Sequence, residues 1–138
     1  MNILLVEDDE VDVLNITRAF AKTGNKGVLF VATNGLEALE ILRSGSRHGR
    51  TFPKEKRLIL LDLNMPKMGG IEFLVELRAD PQLKLLPVVV LTTSAEDRDR
   101  VQAYDLNVAG YLVKPVEYSF FMEAVATINS YWSQSEFP

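Results

Sequence analysis

Leu58-Ile59-Leu60-Leu61-Asp62-Leu63-Asn64-Met65-Pro66 decides how the rest of the chain is read. Four consecutive aliphatic residues suit a strand covered on both faces. A carboxylate at the end of such a run is tolerable only where the strand emerges into a polar site. Asp62 therefore marks the mouth of a site. Pro66 stops continuation, the Gly69-Gly70 pair gives the backbone freedom to turn, and a helical pattern begins at Ile71. The order is strand, site, loop, helix.

Upstream, Ile3 to Val6 is a second apolar run ending in acid, here Glu7-Asp8. Val13, Ile16 and Phe20 follow at helical spacing, and Gly24 with Gly27 closes that helix. Val28 to Ala32 predicts another strand. Asn34 followed by Glu37 has the form of an N-cap with a carboxylate three residues on, and Leu39 and Leu42 mark the buried side of a second helix. Periodicity disappears from Arg43 to Lys56, which predicts a long loop with no structure of its own, either functional or mobile.

Downstream, Ile71, Leu74 and Leu77 form a helical stripe that ends at Asp80-Pro81, since a residue before proline avoids helical geometry. Pro87 introduces the strand Val88-Val89-Val90-Leu91, followed by Thr92-Thr93-Ser94. A fourth helix with a thin apolar face, chiefly Val101 and Tyr104, is expected next. Tyr111-Leu112-Val113 then predicts a fifth strand ending in Lys114-Pro115, and Phe121, Val125, Ile128 and Trp132 line a final helix.

Five strands alternating with five helical patterns predict an α/β, doubly wound domain with a parallel sheet and right-handed crossovers. Ligands of such sheets sit beyond the carboxyl ends of the strands. Asp8, Asp62, Thr92 and Lys114 each follow the end of a different predicted strand, so one fold brings all four to one edge.

The 138 residues predict one domain, large enough to fold without disulfide or metal staples. Charged residues are 25% and hydrophobic ones 47%, values of an ordinary globular protein and not of a disordered chain. The absence of cysteine excludes a disulfide scaffold, a thiolate metal site and a cysteine nucleophile. The amino-terminal residues have neither the basic flank nor the length of a signal peptide or membrane span, so a cytoplasmic location and no membrane association are expected. A net charge of -4 argues against nucleic-acid binding. The one basic cluster, Arg43 to Arg57, is interrupted by Gly45, Gly49 and Pro53 and is read as a solvated loop.

Glu7, Asp8 and Asp62 brought together repel one another unless a cation enters. The candidates are a divalent metal with hard oxygen ligands and the ammonium of Lys114. Magnesium suits the set, because it uses one or two carboxylates, keeps several waters and completes its shell with a phosphoryl oxygen. Asp62 then has what a carboxylate nucleophile toward phosphorus needs, with cation and Lys114 to stabilise the transferring group and the Thr92 hydroxyl to sense it.

These residues resemble the receiver domains of two-component response regulators. The likeness covers nearly the whole chain and rests on Val6-Glu7-Asp8-Asp9, Leu61-Asp62-Leu63-Asn64-Met65-Pro66 with Gly69-Gly70, Leu91-Thr92-Thr93, and Gly110-Tyr111-Leu112-Val113-Lys114-Pro115. It implies a flavodoxin-like sheet of order 2-1-3-4-5 flanked by five helices, with residues 1–138 as a single receiver domain without an output domain. It further implies that Asp62 is the phosphoacceptor, Asp8 a direct ligand of Mg2+, Glu7 a ligand through water and Asn64 a ligand through its backbone carbonyl. Thr92 and Tyr111 would be the switch pair, Lys114 the phosphate-binding cation, and the bond before Pro115 a cis peptide. In that family the positions of Asn64 and Ser94, flanking the site, tune how fast the acyl phosphate hydrolyses. Glu7 stands where aspartate is common, and Thr93 where a smaller alanine is frequent.

The long loop after the second helix and the stretch Leu85 to Ser94 are similar to the small stand-alone regulators that serve cyanobacterial phytochromes. That similarity implies a sensor histidine kinase of the phytochrome type as phosphoryl donor. It also implies a homodimer through the fourth helix, last strand and fifth helix, and a phosphorelay protein as a possible downstream partner. The protein is then a phosphoacceptor switch and not an enzyme.

Taken singly, each feature has a plainer reading. An acidic run is commonly a solvated turn, Thr92 a strand-end hydroxyl, and Tyr111 a packed ring with a wet hydroxyl. His48, the sole histidine, falls in the irregular loop and is read as solvent-exposed. A phosphatase working through an aspartyl phosphate needs a second acid, and Asn64 cannot serve. A flavin-binding domain needs glycine or hydroxyl residues after the first strand, where this chain is acidic. A receiver-shaped adaptor that is never phosphorylated is opposed only by the intact acidic cluster.

Overall fold

The computed structural model describes residues 1–22, 24, 26–63, 65, 67–92, 106–113, 123, 126, 127 and 130. At its centre is the strand Arg57–Asp62, buried at all six positions. Along the chain the elements are β1 (Asn2–Val6), α1 (Glu10–Lys22), β2 (Leu29–Ala32), α2 (Gly35–Ser44), β3 (Ser46–Arg47), β4 (Arg50–Thr51), β5 (Arg57–Asp62), α3 (Gly70–Ala79), β6 (Val88–Thr92) and β7 (Gly110–Val113). Five strands form one sheet in the order β2-β1-β5-β6-β7, and every pairing in it is parallel. Counting those five strands alone, this is the expected 2-1-3-4-5. It is a flavodoxin-like α/β fold.

Strand periodicity divides the aliphatic runs between two cores. Leu58 and Leu60 join Ile3, Leu5, Val89 and Leu91 against Ile16, Ala19 and Phe20 of α1. Ile59 and Leu61 join Leu4, Val6, Val88 and Val90 against Leu39 and Leu42 of α2 and Phe73, Leu74 and Leu77 of α3. A continuous apolar run is thus what a strand with helices on both faces requires.

Helix ends follow local chemistry. The Asn34 side chain accepts from the Glu37 amide at 3.0 Å and caps α2, as predicted. Gly45, at φ 77, ends it in a left-handed cap whose amide donates to the Ile41 carbonyl. Helix α3 stops at Asp80, extended at ψ 118, because Pro81 follows. The predicted fourth helix lies outside the described residues, as do the apolar positions of the fifth. Glu123, Ala126, Thr127 and Ser130 are helical, and the Thr127 hydroxyl donates to the Glu123 carbonyl at 2.9 Å.

Three expectations are corrected. The loop after α2 is not structureless, since β3 and β4 pair as an antiparallel hairpin with Arg47 opposite Arg50. His48 and Gly49 make its turn with φ of 50 and 76, the left-handed pair of a tight hairpin, and His48 is exposed as expected. Phe52 anchors it, 1% exposed and 5.1 Å from the ring of Phe30. Arg57, read as part of a solvated cluster, is 6% exposed. Its guanidinium lies over the Phe52 ring and donates to the carbonyls of Pro53 and Phe52 at 2.7 and 2.8 Å. Those acceptors satisfy a charge that burial would otherwise penalise.

The third correction concerns Gly69-Gly70. Neither glycine has positive φ, and among the described residues of this loop the left-handed one is Lys67, at φ 60. Gly70 is required by close approach: a Cβ there would stand 2.5 Å from the Leu63 Cα and 2.7 Å from the Asp62 carbonyl oxygen.

Candidate functional site

In register, Val6 of β1 lies beside Leu61 of β5. One step further along both strands are Glu7 and Asp62, and the ladder reaches that far on the other side too, the Glu7 amide donating to the Ala32 carbonyl at 2.9 Å. Alternation puts Glu7 on the side of Leu5 and Asp62 on the side of Leu60, which is the α1 side for both. Helix α1 begins three residues after Glu7, so the amino end of its dipole, which favours negative charge, lies close along the chain to Glu7 and Asp8.

Carboxylate oxygens of Glu7, Asp8 and Asp62 all lie within 4.8 Å of one another. Glu7 is fully buried and Asp62 is 6% exposed, whereas Asp8 is open to solvent. The buried pair gives the site a fixed floor and Asp8 an accessible edge. Around an octahedral cation with oxygens at about 2.0–2.1 Å, neighbouring ligands stand about 3 Å apart and opposite ones about 4 Å. Three hard oxygen donors gathered this closely suit a hard divalent cation such as magnesium or manganese, held directly or through water. Among the described residues, this is the one group of three or more acids or histidines close enough to hold a metal ion.

Asp9 has a role the sequence reading missed. One of its carboxylate oxygens accepts from the amides of Val11 and Asp12 at 2.9 and 3.1 Å, which caps α1. Its own amide donates to the Glu7 carboxylate at 3.1 Å and fixes that side chain. The signal was legible: aspartate followed three residues later by Asp12, just before the apolar positions of α1, is an N-terminal signature.

Of the other predicted site residues, Thr92 closes β6 with Val113 beside it in register, and its side chain lies outside the described residues. Tyr111, on β7, pairs with Val90 of β6 and packs, half-buried, against the α2 and α3 core. Its hydroxyl is shielded from solvent, where the plainer reading left it wet. Asn64, Lys114, the bond before Pro115, Thr93 and Ser94 lie outside the described residues, as does the fourth-helix part of the predicted dimer face. Among the described residues no helix is long and apolar enough to cross a membrane.

Comparison with known proteins agrees with this geometry. The family model described as "Response regulator receiver domain" matches residues 3–126. Probable methanogenesis regulatory protein FilR2 of Methanothrix harundinacea is 40% identical over 130 residues, covering 94% of this chain and 82% of that one. Response regulator Rcp1 of Synechocystis is 35% identical over 133 residues, covering 96% and 89%. A structure of the manganese-bound form of Rcp1 superposes with a TM-score of 0.84 at 36% identity, over 99% of this chain and 97% of that one. The phosphorylated cyanobacterial phytochrome response regulator RcpA gives a TM-score of 0.85 at 37% identity, over 99% and 96%. With its acids gathered at the carboxyl edge of a 2-1-3-4-5 sheet, the chain belongs to the response regulator receiver domain family, and among its relatives are the phytochrome response regulators.

Proposed function

We propose that the chain, acting as one domain over residues 1–138, is a phosphorylation switch in which Asp62 accepts a phosphoryl group from a sensor histidine kinase of the phytochrome type. The observation that carries this is the meeting of the Glu7, Asp8 and Asp62 carboxylates within 4.8 Å at the sheet edge. Receivers are phosphoacceptor switches and not enzymes acting on an external substrate, and manganese is bound by the relative Rcp1.

In this reading an Asp62 carboxylate oxygen attacks phosphorus, the bond to the donor histidine nitrogen breaks, and that nitrogen keeps the electron pair. With the other ring nitrogen of the donor histidine protonated, the products are an acyl phosphate on Asp62 and a neutral imidazole on the kinase. Mg2+, when bound, neutralises charge on the carboxylates and the phosphoryl oxygens. Asp8 and Asp62 would hold the cation directly, Glu7 through water, and Asn64 through its backbone carbonyl. Lys114 pairs with a phosphoryl oxygen. Thr92 donates its hydroxyl to another, and Tyr111 adjusts to the new position of Thr92, which changes the surface offered by the fourth helix, β7 and the fifth helix. The signal leaves through protein contact, by homodimerisation on that face or by transfer to a phosphorelay protein.

The test is phosphoryl transfer from a phytochrome kinase that has been allowed to phosphorylate itself. Label is expected to pass to this chain with magnesium and to stay on the kinase with chelator or with Asp62→Asn. Equal transfer with and without chelator overturns the metal assignment. Transfer that is no faster than from a chemotaxis kinase overturns the choice of donor.

A further inference from the structure

Arg78, on the last turn of α3, spends its guanidinium on four backbone carbonyls in two separate connections. Nη1 donates to Lys84 and Leu86, both at 2.8 Å, in the segment that leads into β6. Nε donates to Leu106 at 2.8 Å and Nη2 to Asn107 at 3.0 Å, in the turn that leads into β7. Asn107 has left-handed backbone at φ 62, and two residues on the Ala109 amide donates to the Val88 carbonyl at 2.8 Å, the first link between the two strands. Leu86, Leu106, Val108 and Tyr111 all rest on the core cluster that holds Leu77, Val88 and Val90. Burial pushes the Arg78 guanidinium below the usual arginine value. Neutral carbonyls compensate that burial here, and they need a donor with a planar, forked geometry that lysine lacks.

We propose that Arg78 is a positioning residue for Tyr111: by joining the entries to β6 and β7 through one guanidinium, it fixes the register in which β7 meets β6 and so the place where the Tyr111 ring packs. The geometric part stands without the phosphorylation reading. Only its consequence for switching rests on that reading.

The experiment uses the full chain with ring-labelled tyrosine, the Tyr111 resonance being assigned through Tyr111→Phe. Arg78→Met keeps the apolar stem and removes all four donors. Before any phosphorylation it is expected to shift or split the Tyr111 resonance and to speed amide exchange at Ala109 by at least about tenfold, as loss of charge-assisted hydrogen bonds predicts. Phosphoryl incorporation from acetyl phosphate stays at the wild-type level, while the response of Tyr111 to it shrinks. Ile16→Val, a loss of packing in the other core, controls for general destabilisation and leaves Tyr111 as in the wild type. An unmoved Tyr111 resonance in folded Arg78→Met overturns the proposal, as does an equal shift in Ile16→Val. If Arg78→Met does not fold, Arg78→Lys carries the test, with a smaller displacement expected and none contradicting it. A wild-type chain that takes no phosphoryl group sinks the switch reading and leaves the unphosphorylated comparison intact.

Discussion

Gly70 presses its Cα against the backbone of Leu63, so closely that a Cβ would come within 2.5 Å of the Leu63 Cα. The Gly70 amide donates to the Leu63 carbonyl at 3.0 Å, and this contact seats α3 directly behind Asp62. Replacing Gly70 by alanine must move the helix or the strand end. Gly70→Ala is expected to cost about 1–3 kcal/mol, the range for overpacking a dense site, measured by urea denaturation. It is also expected to slow phosphoryl incorporation, because the displaced backbone includes that of Asp62, the proposed acceptor. Unchanged stability and rate would show that the contact is slack.

Glu37 joins α2 to the hairpin through Arg47, Nη2 to Oε1 at 2.7 Å. Burial pushes its carboxyl up, but the hydroxyl and amide of Thr33 and the Arg47 guanidinium together hold it below the ordinary glutamate value. A carboxyl whose folded value is depressed contributes stability that is present above its unfolded value and is lost as pH falls through the folded one. The wild type is therefore expected to lose stability on acidification below the ordinary glutamate range more steeply than Glu37→Gln does. Thermal denaturation across that range decides it, and parallel profiles would contradict the assignment.

Arg57 holds the hairpin down from inside. Arg57→Met keeps the apolar stem over Phe52 and removes the donors to Phe52 and Pro53. A loss of about 2–3 kcal/mol is expected, from charge-assisted hydrogen bonds left unmade. Limited proteolysis should then cut at residues 46–51 before any other described segment.

These cases show what was legible in the sequence and what was not. Unbroken aliphatic runs ending in acid were legible because a parallel sheet buries both faces of a strand, and hydrophobic pattern alone specifies that. The cap at Asn34 and the stop at Pro81 were legible because they are local chemistry. The β3–β4 hairpin was not, since two-residue strands carry no periodicity and their support comes from Phe30, Phe52 and Arg57, which meet only in the fold. Arg57 reads as part of a solvated basic cluster until its carbonyl partners are known, and nothing in the local pattern singles out Arg78. At the site, the convergence of Glu7, Asp8 and Asp62 followed from strand ends alone. The capping by Asp9 needed its local pattern to be read as a helix start and not as more acid.

Thr92 stands at the end of β6, one residue beyond the Leu91 that pairs with Asp62. Thr92→Ala is expected to leave phosphorylation possible and to uncouple it from any change in self-association. Sedimentation of the variant with and without phosphoryl donor measures this, and wild-type coupling would contradict the switch role.

The most direct measurement of the central claim is intact mass after incubation with magnesium and acetyl phosphate, for the wild type and for Asp62→Asn. One phosphoryl group on the wild type and none on the variant is the predicted result. No addition to the wild type, or equal addition to both, would contradict it.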